Sequence, residues 1–373
     1  MHAYLLARCR QTFPLHGYHL ILTISIMIFM ISAPLFIRSL EHGGHEKAAF
    51  LIAFPAYIWM GWLFMTTSIL ILLDVIRLIC VILSRLNIIE FNPDSFLSQG
   101  VRGALLLGVL ITIYAYNEAK TTRKEHIVIK SHKIPQGTGR FRIIQISDLH
   151  LGILTSLKRV GKIATEIEKE KPDMIVSTGD LVDGRLGLSE HDPQGSLAGI
   201  LSAIKTPAGK FAVLGNHEIY AGTGHSADFM SASGFRLLRG EACQVAPFIS
   251  VAGVDDPAAG TGNEPASGES TVVAKMNPSL FRILLKHRPF IEKGCDGKFD
   301  LQLSGHTHNG QLFPFNLLVR LQFRYLKGTY TTDKGSMLHV SRGTGTWGPP
   351  LRFLAPPELT VIDIIPASPE KPS

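Results

Sequence analysis

The run Leu20–Ile37, LILTISIMIFMISAPLFI, holds no charged side chain over 18 residues. That is long enough to cross a hydrocarbon core of about 30 Å as a helix. A secretory leader is the rival reading, but Arg38 and Glu41 follow the run where a leader would have a small-residue cleavage site. The sequence therefore predicts a retained span. A second apolar block, Ala48–Leu86, is interrupted only by Asp74 and Arg77 and has about twice the length one span needs. Gly61 and Thr66-Thr67-Ser68 offer a turn inside it, so a hairpin of two helices is expected there. With a last span over Gly103–Tyr116 the count is four, and three is the alternative.

Charge follows the same division. Residues 1–119 carry 7 Lys/Arg and 6 Asp/Glu, the rest 30 and 24. The whole chain of 373 residues is 46% hydrophobic and 18% charged, against roughly 25% charged in ordinary soluble domains. Disordered and collagen-like classes are excluded, and the first third accounts for the shortfall. Arg8 and Arg10 precede the spans, and Lys120, Arg123, Lys124, Lys130 and Lys133 follow them. Four spans would put both basic flanks in the cytoplasm, which predicts a multi-pass inner-membrane protein with its C-terminal part cytoplasmic. Asp74 and Arg77 share a helix face, as an intramembrane pair or as side chains snorkelling near a helix end. Cys9, Cys80, Cys243 and Cys295 have no metal-finger or CxxC spacing, so reduced thiols are expected.

Beyond a membrane region of residues 1–119, the sequence predicts a linker over 120–140, an α/β domain over 141–365 and a flexible tail over 366–373. FRIIQIS (Phe141–Ser147), DMIVS (Asp173–Ser177) and KFAVLG (Lys210–Gly215) read as buried strands, with an amphipathic helix at Lys158–Glu170 between the first two. Later strands are expected at Phe248–Val254, Phe281–Lys286, Phe299–Ser304, Ser336–Ser341 and Leu359–Ile364. Several lack intervening helices, which points to a second, more antiparallel sheet. Pro257–Ser270 reads as a polar surface loop.

The residues that end these strands carry the chemistry. The first runs into Asp148-Leu149-His150, the second into Gly179-Asp180 and Asp183, the third into Asn216-His217-Glu218. FRILLK runs into His287, and LQLS into Gly305-His306-Thr307-His308. Strand carboxyl ends are where α/β sheets place ligand sites. One such residue is a turn former or a helix cap; five at five strand ends form a set. Carboxylate, imidazole and amide oxygen without thiolate suit Mn, Fe, Zn, Co or Ni. Asp148, His150, Asp180, Asn216, His287, His306 and His308 are too many ligands for one tetrahedral ion. Two ions sharing a carboxylate match the number. About 3.5–4 Å apart, such ions would hold a hydroxide, lower its pKa and clamp a phosphoryl group during in-line displacement.

This set, in this order and strand context, resembles the calcineurin-like metallophosphoesterases. GHTHNGQLFP (Gly305–Pro314) and VSRGTGTWGPPLRFLAPPEL (Val340–Leu359) are similar to a membrane-associated bacterial branch, apart from Asn309, where that branch usually has a second Gly. The resemblance implies a four-layer αββα sandwich and two divalent metal ions, with Mn favoured. Asp148, His150 and His308 would hold one ion, Asn216, His287 and His306 the other, and Asp180 would bridge. His217 would contact the phosphate and protonate the leaving oxygen, with Glu218 orienting or charging its ring. Asp183 would fix a ligand histidine from behind. Arg342 would reach a substrate phosphate or order a turn, and Asp255-Asp256 would approach the site or start a turn.

The expected activity is hydrolysis of a phosphomonoester, phosphodiester or pyrophosphate bond by metal-activated hydroxide. A ligand-binding membrane sensor or scaffold would show a broken motif, and the motif is complete. A nuclease is the third reading, prompted by a net charge of +7. The basic residues form no cluster of nucleic-acid-binding type, and juxtamembrane attraction to membrane lipids is the simpler account; no nucleic-acid partner is expected. The leaving group is set by loops such as Gly184–Gln194 and Ala221–Ser226, and membrane anchoring points toward a lipid-linked phosphoester.

Overall fold

The computed structural model describes residues 1–183, 196–261 and 268–368. The chain forms two units. The first is Met1–Ala119 with two short returning segments, Leu312–Pro314 and Gly348–Leu354; the rest of the chain forms the second.

The first unit is built from α1 (His2–Thr12), α2 (Gly17–His42), α3 (Glu46–Arg85) and α4 (Pro93–Ala119). The last three are long and apolar enough to cross a membrane. The hairpin expected inside Ala48–Leu86 is not formed: α3 is one helix of 40 residues, about 60 Å long. Gly61 and Thr66–Ser68 do not break it because a backbone in an apolar medium has no partner but its own carbonyls, and Ser68 bonds back to the Phe64 carbonyl at 2.9 Å. The candidate spans are thus three among the described residues, the alternative count. Asp74 accepts from Tyr4 and, at 2.6 Å, from Arg8 of α1, whereas Arg77 donates to the Pro93 carbonyl. An unbroken α3 returns its C-terminal half to the end of the unit where α1 lies, which is what the Arg8–Asp74 pair requires.

Large aliphatic side chains such as Ile28, Leu35, Leu51, Leu72 and Leu106 point outward, while Ala33, Ala49, Ala53, Ala104 and Ala115 are buried. Small residues inside and large ones outside is the packing of helices in lipid, where close backbone approach takes the place of hydrophobic collapse. All four cysteines are free.

In the second unit, two six-stranded sheets stack among the described residues. The first has β1 (Arg123–Ser131), β12 (Glu358–Pro366), β2 (Phe141–Ile146), β3 (Met174–Ser177), β4 (Lys210–Ala212) and β5 (Arg236–Leu237), in that spatial order. The second has β10 (Gly328–Thr331), β11 (Met337–Val340), β9 (Leu301–Ser304), β8 (Phe281–Lys286), β7 (Ile249–Val254) and β6 (Glu241–Ala246). Two expectations are corrected here. Arg123–Ser131, placed in the linker, is an edge strand running parallel to β12 over nine residue pairs, and its polar character is that of an edge. Pro366, placed in the tail, ends β12. The second sheet is also less antiparallel than expected: β7, β8, β9 and β11 run parallel, and only β6 and β10 are reversed.

Ile143, Val176 and Val213 of the first sheet and its strand ends meet Val251, Ile283, Leu285 and Leu303 of the second in one buried core. The outer face of the first sheet packs on α5 (Leu157–Lys169), α6 (Leu197–Ala203) and α8 (Thr223–Ala232). The outer face of the second carries α9 (Glu269–Ala274). This is the expected αββα order. Ser156 and Ser196 cap α5 and α6 by accepting from the backbone three residues on. Ala221–Ser226, expected as a loop, closes α7 (Asn216–Ala221) and opens α8. Pro257–Thr261 is a short 3-10 turn, and residues 184–195 and 262–267 of the other expected loops lie outside the described residues.

Candidate metal centre

Six of the seven expected ligands, all but Asn216, fall in groups of neighbouring donor atoms at the carboxyl ends of β2, β3, β8 and β9, and Asn216 follows β4 at the start of α7. Strand backbone points its side chains alternately up and down, so a ligand at a strand end must turn sharply. Asp148, His150, Asp180, His306 and His308 all adopt the left-handed region, with φ between 48° and 71°. Such conformations cost of order 1–3 kcal/mol each for residues other than Gly and concentrate at functional sites. Asn309, the departure from the usual Gly, has φ 49°, and Asn is among the side chains that tolerate this region best. The close approach is made by glycines. A Cβ on Gly215 would stand 2.1 Å from Asp180 Oδ1, and one on Gly305 would stand 2.1 Å from Asp148 Oδ2.

Three overlapping groups of donor atoms result: Asp148, His150 and His308; His150, Asp180 and His217; Asp180, His287 and His306. His308 Nε2 lies 3.3 Å from Asp148 Oδ1 and 3.1 Å from His150 Nε2. His287 Nε2 lies 3.1 Å from Asp180 Oδ2 and 3.1 Å from His306 Nδ1. Nitrogen donors about 2.0–2.1 Å from an ion are about 2.8–3.4 Å apart at right-angled to tetrahedral geometry, so these spacings fit a divalent cation. His287 Nδ1 donates to the Thr178 carbonyl at 2.8 Å, which fixes the ring and turns Nε2 toward the cluster. Asn216 Oδ1 is buried with no hydrogen-bond partner; a cation would satisfy it. Asp180 and His150 each belong to two of the three groups.

The electrostatics of the cluster are set by burial and by the mutual charges of its carboxylates and imidazoles. Asp148 and Asp180 sit well below the usual carboxylate range: burial opposes their charge, but His308 beside the first and His287 beside the second outweigh it. Burial pushes His150 down to about 4, and burial with the charge of His287 pushes His306 down to about 3. Both rings are therefore neutral and open to ligation near pH 7. Burial also disfavours charge on His287, yet Asp180 and Asp148 raise it to about 10; an ion binding there displaces that proton.

The two acidic neighbours of His217 hold positions other than the sequence suggested. Glu218, expected to orient the ring, accepts instead from the backbone N–H groups of Asp180, Val182 and Gly215 at 2.8–2.9 Å. It is a buried clamp joining the ends of β3 and β4, and burial with the nearby Asp180 pushes it up to about 7. Asp183 is the partner of His217, at 2.8 Å from Nδ1, and is 3.8 Å from His150 Nδ1. Burial lowers the affinity of His217 for a proton, but Asp183 and Asp180 more than offset this and raise its pKa.

Arg342 lies outside these donor groups. Its guanidinium pairs with Glu125 of β1 and Glu358 of β12 and donates to the Pro356 carbonyl. Asp256 accepts two hydrogen bonds from Arg288, next to His287, and caps the Pro257–Thr261 turn; Asp255 pairs with Arg239. The sequence reading missed Ser147, whose hydroxyl donates to Asp148. It also missed Trp347 and Tyr220, whose rings lie 5.7 and 5.9 Å from that of His217. Trp347 falls in the GTGTWGPP stretch, but no spacing rule ties an aromatic there to a histidine 130 residues earlier.

Comparison with known proteins agrees with this geometry. The calcineurin-like phosphoesterase family profile matches residues 141–310. An uncharacterized metallophosphoesterase of Aquifex aeolicus strain VF5 is 39% identical over 262 residues, covering 70% of this chain and 98% of that protein. The metallophosphoesterase YkuE of Bacillus subtilis strain 168, likewise uncharacterized, is 34% identical, covering 71% of this chain and 95% of its own. A Danio rerio transmembrane protein with metallophosphoesterase domain is 28% identical, over 69% of this chain and 61% of that one.

Proposed function

This chain belongs to the calcineurin-like metallophosphoesterase family, and from that premise we propose that it is a membrane-anchored, dinuclear-metal phosphoesterase acting on a lipid-linked phosphomonoester, phosphodiester or pyrophosphate. The observation that supports the reading is the row of three donor groups, the first two linked through His150 and the last two through Asp180. Asp148, His150 and His308 would hold one ion, Asn216, His287 and His306 the other. Divalent ions at such a site supply an activated water and neutralise charge on the phosphoryl oxygens.

The chain's own groups do the rest. Asp183 anchors His217 through Nδ1, which leaves Nε2 to face the substrate and protonate the leaving oxygen. Positioned acids of this kind contribute typically 10²–10⁴ in rate. Glu218 keeps the Asp180 and Gly215 backbones in register, so that the ligands on β3 and β4 stay a fixed distance apart. The lipid-linked substrate is supported by the three apolar helices. With three spans, a cytoplasmic catalytic unit places Arg38, Lys47 and the Lys120–Lys133 cluster inside and leaves fewer basic residues outside.

The full chain loaded with Mn should hydrolyse p-nitrophenyl phosphate or its bis ester. His217→Ala should lose at least about 10²-fold in kcat with metal content unchanged, and Asn216→Ala should lose bound metal as well. Activity on detergent-dispersed lipid phosphoesters should exceed that on soluble analogues. Metal-loaded protein inert on a broad phosphoester panel sinks the reading.

A further inference from the structure

Immediately after the GHTHNGQLFP loop comes α10 (Phe315–Gln322), FNLLVRLQ, a helix none of whose residues is buried. Leu317, Leu318 and Leu321 are 55%, 58% and 84% exposed, and Phe313 and Phe315 beside them are also exposed. At 100° per residue the three leucines form one stripe bordered by Arg320, and Arg324 follows two residues after the helix ends. From Leu301 to Thr332 the chain has no Asp or Glu, while it has Arg320, Arg324 and Lys327. The chain continues from α10 toward the metal centre: the Phe323 ring lies 5.1 Å from that of the ligand His306.

We propose that α10 is a membrane-surface anchor, lying in the interface of an anionic bilayer with its leucines among the acyl chains and its arginines at the lipid phosphates. An exposed apolar stripe with basic borders is the pattern of interfacial helices, and long basic side chains reach headgroups while their stems stay apolar. Two features of the chain select a bilayer as the occupant. It carries three helices able to cross a membrane, and only three residues separate α4 from β1 of the catalytic unit. The positive, acid-free stretch complements anionic headgroups. Lipid phosphate is thereby brought to the side of the unit that carries His306. The inference rests on the membrane-anchored reading and adds a second, peripheral attachment to it.

The test uses the full chain in nanodiscs of phosphatidylcholine with phosphatidylglycerol, each lipid carrying a photoactivatable acyl chain, and peptide mapping of the crosslinks. Labelling is expected on α2–α4 and on residues 315–324. Leu317→Glu with Leu321→Glu should abolish the labels on α10 and leave both those on α2–α4 and hydrolysis of a soluble p-nitrophenyl ester unchanged. Arg320→Gln with Arg324→Gln, or nanodiscs of phosphatidylcholine alone, should lower α10 labelling about fivefold or more. Labels on α2–α4 with none on α10 overturn the anchor but not the membrane reading, and no label on either overturns both. Crosslinks from α10 to a second copy of the chain in place of lipid also overturn it.

Discussion

His217 and Asp183 lie 34 residues apart, and the hydrogen bond between them holds the ring through Nδ1. Glu218 is next to His217 in sequence, yet its position in the first turn of α7 turns its carboxylate back to three backbone N–H groups. Helical geometry places neighbouring side chains about 100° apart, so adjacency along the chain was a poor guide to contact here. Glu358 offers a residue-scale test away from the donor cluster. It is buried, a setting that disfavours its charge, but His339, Arg342 and Thr360 hold it below the ordinary carboxylate value. A depressed folded pKa means that the unfolded chain binds the proton more readily, so the stabilisation is present above about pH 4.5 and is lost as pH falls through the folded value. Glu358→Gln should therefore cost about 3 kcal/mol at pH 7, the scale for breaking a buried pair, and the gap in thermal melts should narrow below pH 4. A gap independent of pH would show that shape, not charge, matters at this position.

At the scale of elements, the strands that lead into ligands were readable because a buried apolar run ending in Asp, Asn or His has few other meanings. Phe281–Lys286 appears with the expected bounds, and Phe141–Ile146 within one residue. The edge strand Arg123–Ser131 was not readable: with one side on solvent and a polar composition, it is specified by the nine backbone pairs it makes with β12. The three long apolar helices show the reverse error. Gly61 and Thr66–Ser68 are turn formers in water, but α3 runs through them since an apolar environment penalises any break in backbone hydrogen bonding. One consequence is checkable. Single cysteines at Gly44 and at Ile89, in a background with Cys9, Cys80 and Cys243 replaced by Ser, should react with an impermeant maleimide from opposite sides of a sealed vesicle. Reaction from one side would restore the hairpin.

For the whole molecule, the two sheets are held by one apolar layer. Leu285, fully buried between them, stands one residue before Lys286 and two before His287 of the donor cluster. Leu285→Ala should destabilise the catalytic unit by about 2–5 kcal/mol, read as a melting point roughly 5–15 °C lower. Val128→Ala, on the exposed face of β1, should cost under about 0.5 kcal/mol. Equal losses at the two positions would contradict the sandwich. The sequence by itself determined the apolar N-terminal region, the α/β class and the family, and singled out the seven candidate metal donors, because each depends on local features: an uncharged run of span length, period-two apolar strands, and ligand types at strand ends. Only the tertiary structure decided the unbroken α3, the edge strand β1, the pairing of His217 with Asp183, the backbone clamp of Glu218 and the ion pairs of Arg342. Those depend on which distant segments meet, and that follows from burial and backbone pairing summed over the whole chain.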